Sequence, residues 1–252
     1  VMLDMTTVNK LNEMRMSAMA RAFTEQLSDP QYNEMSFEDR FGLLVDIEWS
    51  RRKSNQLTRL LKNAYIQDST ACIENIRYDE DRKLDKSQIL RLATNNYIAE
   101  KRNIIILGAT GAGKSFMGNA FSVAACRGLY TTRCVRLPDL LDELAISRGE
   151  GTFRKTMKSY KKVALLVIDE WLLSPLKDVE AQNLLEIIEA RHQICSTIIV
   201  TQNSPAGGLT QIGEGAIAEA VLDRIIHNSH TIFIDGKVSM RERLALERQN
   251  NL

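Results

Sequence analysis

The chain has 252 residues, of which 44% are hydrophobic and 26% charged, and its net charge is +1. This composition is typical of a globular protein, and the length allows one large domain or two small ones. No apolar run approaches the roughly 20 residues that span a bilayer, and the first residues lack a basic-then-apolar export signal, so we expect a cytoplasmic protein without membrane contact.

The first hundred residues show helical patterns. Residues 3–26 place apolar side chains at three-to-four spacing, which predicts one helix that Asp29 and Pro30 end. Ser36, with Asp39 three positions later, resembles a helix cap, and a long helix toward Ala64 is predicted after it.

A third helix is predicted over residues 86–93, and no strand signal precedes residue 96. We therefore expect a small all-helical N-terminal domain, residues 1–95, that contacts DNA or a partner. A basic cluster lies on its long helix, and its members are Arg51, Arg52, Lys53, Arg59 and Lys62. Such a cluster is either an ordinary solvated face or a surface for DNA phosphates.

From residue 96 to residue 252, short apolar runs alternate with helical stretches. Strands are predicted over residues 104–107, 132–136, 163–169, 197–201 and 231–234. Apolar strands joined by helices predict an α/β domain with a five-stranded, mostly parallel sheet covered by helices.

The stretch LGATGAGKSF, residues 107–116, fits the phosphate-loop pattern G-x-x-x-x-G-K-[ST] between a strand and a helix. We expect its backbone N–H groups to face phosphate oxygens, Lys114 to reach the β- and γ-phosphates, and Ser115 to hold Mg²⁺. The alternative is a glycine-rich turn without a ligand. The predicted nucleotide-binding residues are Gly108, Ala109, Thr110, Gly111, Ala112, Gly113, Lys114, Ser115 and Phe116.

A second basic cluster follows the second predicted strand. Its members are Arg148, Arg154, Lys155, Lys158, Lys161 and Lys162. Either cluster alone reads as solvated surface, but two of them in a nucleotide-binding protein favour duplex DNA as a partner.

The apolar run of residues 163–168 leads directly into Asp169 and Glu170. We predict that Asp169 holds Mg²⁺ and that Glu170 polarises the water that attacks the γ-phosphate. The alternative is an acidic strand end that caps the next turn.

Polar residues follow the fourth predicted strand. Gln202 is the predicted γ-phosphate sensor, with Thr201 and Asn203 as alternatives. Arg224 precedes the last strand and is predicted to reach a neighbouring subunit's nucleotide, unless it is a surface salt-bridge residue. Only 28 residues follow Arg224, which predicts no C-terminal lid domain and hence a homo-oligomer with nucleotide sites between subunits. Arg241 and Arg243 are further candidates for phosphate contact.

Cysteine and histidine usage is sparse. Cys72, Cys126, Cys134 and Cys195 lack C-x-x-C spacing, and the three histidines lie far from them in sequence. Reduced thiols are therefore expected rather than disulfides or a zinc site.

Together these features resemble the AAA+ ATPases, in the lid-less branch near the DnaC-type helicase loaders and the DnaA initiator, and the IstB-like transposition helper proteins in particular. The segments that carry the resemblance are SFEDR (36–40), LVD (44–46), RLLK (59–62), RKLD (82–85), GATGAGKS (108–115), RLPDLL (136–141), LLVIDEW (165–171), STIIVTQ (196–202) and AVLDRIIHNSHTI (220–232). Many relatives place a glycine where this chain has Leu172.

The resemblance implies an ATP- and Mg²⁺-dependent assembly on DNA that assists the transposase of the same element in target selection and strand transfer. It implies a sensor role for Gln202, an arginine-finger role for Arg224, and an extra helix between residues 138 and 160. Two rival functions stay open. One is a helicase-loader-type ATPase that binds single-stranded DNA and a replicative helicase, and the other is a small-molecule kinase.

Overall fold

The computed structural model describes residues 2–68, 70–204, 207, 211–213, 215–236, 239, 240 and 242, without the side chains of residues 2–4. The chain divides into two compact units, residues 1–59 and 60–252. This division lies earlier than the predicted boundary between residues 95 and 96. The reason is that part of the predicted helical domain supplies apolar side chains to the core beside the sheet, namely Ala71, Ile73, Ile76, Ile89 and Leu92.

The first unit is helical. Its helices are α1 (Met2–Glu13), α2 (Ser17–Ser28) and α3 (Phe37–Asn63), whose last residues enter the second unit. A 3₁₀ helix, Pro30–Glu34, follows α2. The Ser36 cap is confirmed, since the Asp39 N–H donates to the Ser36 hydroxyl at 3.1 Å.

The prediction of a single helix over residues 3–26 is wrong. Arg15 adopts a left-handed conformation with φ of 59°. The Met16 N–H donates to the Leu11 carbonyl at 2.8 Å, and the Arg15 N–H to the Asn12 carbonyl at 2.9 Å. This is a Schellman ending, which usually takes glycine. With arginine at this position, the break has no sequence signal.

The corner between α1 and α2 is held by the buried carboxylate of Glu48. Its Oε2 accepts the backbone N–H groups of Ala18 and Met19 at 3.2 and 3.3 Å, at the positive N-terminal end of α2. Its Oε1 accepts from Arg51 and Arg52, each at 2.8 Å. Burial raises the pKa of Glu48, but these hydrogen bonds outweigh it and lower that pKa to about 2.

The second unit contains a parallel sheet and its covering helices. The strands are β1 (Asn103–Gly108), β2 (Thr132–Arg136), β3 (Leu165–Asp169), β4 (Ser196–Thr201) and β5 (Ser229–Ile234). The helices are α4 (Lys86–Ala93), α5 (Asn96–Ala99), α6 (Lys114–Arg127), α7 (Leu137–Gly149), α8 (Phe153–Lys162), α9 (Asp178–Arg191) and α10 (Ala216–Ile226). Short 3₁₀ turns cover Ile73–Asn75 and Glu80–Arg82.

The five strands lie in the order β2-β3-β4-β1-β5, and all four pairings are parallel. Alternate side chains enter two cores. Ile104 and Ile106 face the core that contains α6 and the chain before β1, whereas Ile105 faces the core built with α7 to α10. The predicted five-stranded sheet with helices on both faces is therefore confirmed.

This strand order decides where the polar residues meet. β4 lies between β1 and β3, and β3 pairs with β2. Parallel strands end at one edge, so the segments that follow Gly108, Asp169 and Thr201 converge there, next to Arg136. We call this edge the carboxyl edge of the sheet.

Two further features concern membrane contact and the cysteines. None of the helices that the structure describes has both the length and the apolar character needed to cross a lipid bilayer.

The four cysteines are free thiols, with Cys126 and Cys134 buried.

Candidate functional site

The glycine loop between β1 and α6 is built by local backbone requirements. Gly111 and Gly113 adopt φ values of 80° and 89°, which glycine reaches without strain. A Cβ on Gly108 would lie 2.5 Å from the Ile234 carbonyl oxygen, so the neighbouring strand leaves no room for a side chain. The loop ends at the N-terminus of α6, where unpaired N–H groups favour an anion.

Lys114 begins α6 and turns back over the loop. Its Nζ donates to the Ala109 carbonyl at 2.7 Å. Burial lowers the pKa of Lys114, and the nearby Asp169 carboxylate acts in the opposite direction. Phe116 packs against the core beside α6 and anchors the start of this helix.

Gln202 lies against the loop. The Thr110 hydroxyl donates to its Oε1 at 2.5 Å. The two alternative sensors make other contacts. The Thr201 hydroxyl bonds within the turn after β4, and the Asn203 amide donates to the Leu172 carbonyl at 3.2 Å. Of the three candidates, Gln202 is therefore the one that these hydrogen bonds connect to the loop.

The strand β3 ends at Asp169, and Glu170 begins a constrained turn. The Glu170 N–H donates to Asp169 Oδ1 at 2.7 Å. Glu170 and Leu172 adopt left-handed φ values of 53° and 52°, which non-glycine residues rarely take. The missing glycine thus does not prevent the turn, because Trp171 pins it through a 3.0 Å hydrogen bond to the Val200 carbonyl.

Arg136, for which the sequence suggests no role in the site, holds the second acidic residue. It ends β2 opposite Asp169 in the strand register. Its Nη2 donates to Glu170 Oε2 at 2.8 Å, and its Nη1 lies 3.8 Å from Asp139 Oδ2. A basic residue one strand away from an acidic strand end carries no local sequence signal, because the strand order decides their pairing.

A small cavity lies beside the loop. Its lining includes the predicted Ser115 and Asp169, together with Gln67 and Asn119, which the phosphate-loop pattern does not include. Among the described residues, no group of three or more His, Cys, Asp or Glu side chains could hold a metal ion. A hydroxyl and one carboxylate fit Mg²⁺, which usually keeps waters and takes phosphate oxygens as its other ligands.

Arg224 lies away from this site. α10 ends just before β5 begins, and Arg224 lines a cavity with Asn103 and Thr197, at the starts of β1 and β4. The six residues of β1 are separated by five steps of about 3.3 Å, which places the two ends of the strand roughly 16 Å apart. Arg224 therefore cannot serve the loop of its own chain. Its Nη2 forms an ion pair of 2.8 Å with Glu189 Oε1.

The basic cluster of the first unit's long helix is partly committed to the fold. Arg51 and Arg52 pair with Glu48, and Lys53 lies 5.6 Å above the Trp49 ring. Arg59 and Lys62 are exposed. DNA contact by this cluster stays a prediction.

The second cluster divides in the same way. Arg148 donates to Asn183 Oδ1 at 2.8 Å and stacks on Phe153, and Lys161 pairs with Glu186 at 2.5 Å. The remaining members are exposed and lie at positions that share one side of α8. We call Arg154, Lys155, Lys158 and Lys162 the α8 stripe. Arg241 and Arg243 lie outside the described residues.

Sequence comparison matches the chain to one protein family and to relatives that are named insertion sequence ATP-binding proteins. The IstB-like ATP binding protein family matches residues 9–248. An insertion sequence ATP-binding protein of Sinorhizobium fredii is 34% identical over 242 residues, which cover 96% of this chain and 98% of the relative. The ATP-binding protein of insertion sequence IS1162 from Pseudomonas fluorescens is 36% identical over 201 residues, or 80% of this chain and 87% of that one.

Solved structures resemble much of this chain in fold. AMPPCP-bound DnaA from Aquifex aeolicus superposes with a TM-score of 0.59 at 18% identity over 75% of this chain, which spans 57% of the DnaA chain. The DnaC helicase loader gives a TM-score of 0.56 at 19% identity, covering 66% of this chain and 97% of DnaC. At such identities the likeness establishes the fold alone, and it confirms the AAA+ architecture predicted above.

Proposed function

The chain belongs to the IstB-like ATP-binding protein family, and on that premise we propose that it hydrolyses ATP to control its own assembly on duplex DNA. We further propose that the assembly assists the transposase of the same mobile element and that the protein works in the cytoplasm. The names of its insertion-sequence relatives support the mobile-element context.

The observation that carries the ATPase proposal is the convergence of four strand ends at the carboxyl edge. The glycine loop, Gln202, Glu170 and Arg136 come from β1, β4, β3 and β2, and they contact one another in pairs. A glycine-rich turn without a ligand would not require an acidic pair and a polar sensor on neighbouring strands. The kinase alternative is weaker, since Glu170 suits activation of water as the phosphate acceptor.

Each residue has a chemical role in this proposal. Loop N–H groups and the α6 N-terminus bind the phosphates, and Lys114 exchanges the Ala109 carbonyl for β- and γ-phosphate oxygens. Ser115 and Asp169 would hold Mg²⁺, which supplies charge neutralisation at the phosphates when bound. Thr110 positions Gln202 to sense the γ-phosphate.

Hydrolysis needs a water that is polarised in line with the γ-phosphate. We assign this role to Glu170, whose Oε2 accepts from Arg136 and whose other oxygen, Oε1, would accept from the water. Arg136 fixes the direction of the carboxylate, and the left-handed turn at Glu170 presents it at the strand end.

The position of Arg224 supports a homo-oligomer. An arginine at the opposite edge of the sheet can neutralise transition-state charge only at the nucleotide of another subunit. Such a head-to-tail contact repeats from subunit to subunit and generates a ring or a helical filament. ATP sites would then lie at subunit interfaces.

The proposed function is tested by measuring ATP turnover and particle size on the same samples, with duplex DNA, with single-stranded DNA and without DNA. We expect ATP and Mg²⁺ to produce large particles on duplex DNA, and Lys114→Ala to abolish them because the variant no longer binds phosphate. Protein that stays monomeric on duplex DNA with ATP would contradict the proposal. Assembly on single strands, together with binding of a replicative helicase, would favour the helicase-loader alternative.

The α8 stripe is the surface for which we predict contact with DNA phosphates. Replacing Arg154, Lys155 and Lys158 by Gln should weaken duplex binding, because fewer counterions are released from the DNA. A plot of the logarithm of the duplex-binding constant against the logarithm of the salt concentration has a negative slope. The magnitude of this slope should decrease by about 0.9 for each phosphate that the protein no longer neutralises. The measurement is fluorescence anisotropy over a salt series.

A single-residue comparison provides the control. Lys177 is also basic and its side chain is 86% exposed, but it lies at the start of α9 rather than on the stripe. Lys177→Gln should leave the salt dependence of duplex binding unchanged, whereas Lys158→Gln should reduce the magnitude of its slope. Equal slopes for both variants and the wild type would remove the stripe from the DNA interface.

A further inference from the structure

Arg82 lies beneath the glycine loop, in the chain before β1. Only 4% of it is exposed. Its Nη2 donates to the Ala112 carbonyl at 2.9 Å, and its Nη1 donates to the Arg77 carbonyl. A Cβ on Gly113 would lie 3.1 Å from Arg82 Nη2, so the guanidinium touches the loop where it enters α6. No role for this residue follows from the phosphate-loop pattern.

The bond to Ala112 fixes the direction of a loop N–H group. In a trans peptide the carbonyl and the next N–H point in opposite directions, and no cis peptide occurs in the described chain. Since the Ala112 carbonyl points to Arg82, the Gly113 N–H points away from it, toward the concave side of the loop. This is the side on which a phosphate would lie.

A second contact acts on the preceding peptide. The Met240 N–H donates to the Gly111 carbonyl at 2.9 Å, so the Ala112 N–H also points inward, where it donates to the Ala109 carbonyl at 3.2 Å. Lys114 Nζ donates to the same carbonyl. The Ala112 N–H and the Lys114 ammonium therefore meet at the Ala109 carbonyl oxygen, as they would meet a phosphate oxygen.

Contacts from outside the loop are important because the glycines of the loop allow its backbone to adopt several conformations. Gly111 and Gly113 have no Cβ to prevent rotation of the adjoining peptides. A peptide that rotated would present a carbonyl oxygen to the phosphate in place of an N–H, and the two would repel.

We propose that Arg82 is a positioning residue of the nucleotide site, which holds the Ala112 carbonyl so that the Gly113 N–H faces the phosphates. This rests on the nucleotide site proposed above. Arg82 acts through the loop and does not touch the nucleotide. It should therefore affect ligands that carry phosphates and leave the nucleoside part unaffected.

The test compares the wild type with the variants Arg82→Met and Arg82→Lys. Calorimetric titration measures the affinity of each protein for ATP, ADP and adenosine. Thermal unfolding of each protein measures its stability. Arg82→Met keeps the length of the side chain and removes its donors. We expect at least about a 10-fold weaker affinity for ATP and ADP, because a charged hydrogen bond is removed, and an unchanged affinity for adenosine. Arg82→Lys keeps one donor and should restore part of the ATP affinity.

The neighbouring Lys83 provides a matched control. Its side chain is 71% exposed and pairs with Asp235 at 2.8 Å, away from the Ala112 carbonyl. Lys83→Met should leave all three affinities unchanged.

Equal losses of affinity for ATP and adenosine in Arg82→Met, or no loss for either, would overturn the proposal. If Arg82→Met does not fold, the comparison is made with Arg82→Lys. A weaker affinity of Arg82→Lys for ATP but not for adenosine supports the positioning role. An equal loss of affinity for ATP and adenosine overturns it. Failure of the wild type to bind ATP would instead overturn the proposed function itself.

Discussion

Glu170→Gln should bind ATP with near wild-type affinity and hydrolyse it at least about 100-fold more slowly, the usual contribution of a general base. Glutamine can still accept the Arg136 hydrogen bond through its amide oxygen, so the turn after β3 should persist. What the variant lacks is the negative charge that polarises water. Because ATP stays bound, the variant should remain in large particles on duplex DNA after wild-type particles have dissociated.

This prediction is measured as single-turnover ATP hydrolysis together with particle size over time. Asp139→Asn is the matched control, since Asp139 also lies near Arg136, at 3.8 Å, but belongs to the first turn of α7 instead of ending β3. It should hydrolyse ATP normally. Normal turnover in Glu170→Gln, or equal loss in both variants, would refute the role of Glu170.

Arg224→Ala should reduce turnover at saturating ATP by about 1,000-fold, at the lower end of the range for arginine fingers, without weakening ATP binding. The physical reason is the removal of a positive charge at a neighbouring subunit's γ-phosphate. The side chain must leave Glu189 to reach it. That exchange is feasible because an exposed ion pair contributes little stability.

Two measurements separate this role from that of a surface salt bridge. Glu189→Gln breaks the same ion pair but keeps the arginine, so it should retain turnover. Mixing Arg224→Ala with Glu170→Gln, which should still assemble, should restore activity, because the first supplies nucleotide sites with Glu170 and the second supplies intact arginines. Random mixing in equal amounts would place an intact nucleotide site opposite an intact arginine at about a quarter of the interfaces. No recovery in the mixture would exclude action between subunits.

The interpretation of the basic clusters changes most between sequence and structure. Arg51 and Arg52 belong to the corner formed with Glu48, and Arg148 and Lys161 bond within the second unit. A sequence records how many charges a segment carries but not which carboxylates they meet. The α8 stripe remains a candidate for DNA contact because its four residues are exposed.

Local features of the chain were determined by the sequence itself. The glycine loop, the Ser36 cap and the helix over residues 86–93 each depend on side chains within a few positions of one another. Strand positions followed from short apolar runs, because a strand buried on both faces needs them along its whole length. These features could be predicted because the interactions that produce them are short in sequence.

The tertiary structure alone decided the contacts that join distant segments. Arg82 reaches Ala112 across 30 positions, and Arg136 reaches Glu170 across 34. Arg191 is 1% exposed and donates to the carbonyl of Tyr160 at 2.8 Å, although arginine is usually a surface residue. Their partners are backbone carbonyls or side chains that the strand order brings near. The sequence therefore predicted the candidate residues of the site, and the packing of distant segments decided which residues contact them.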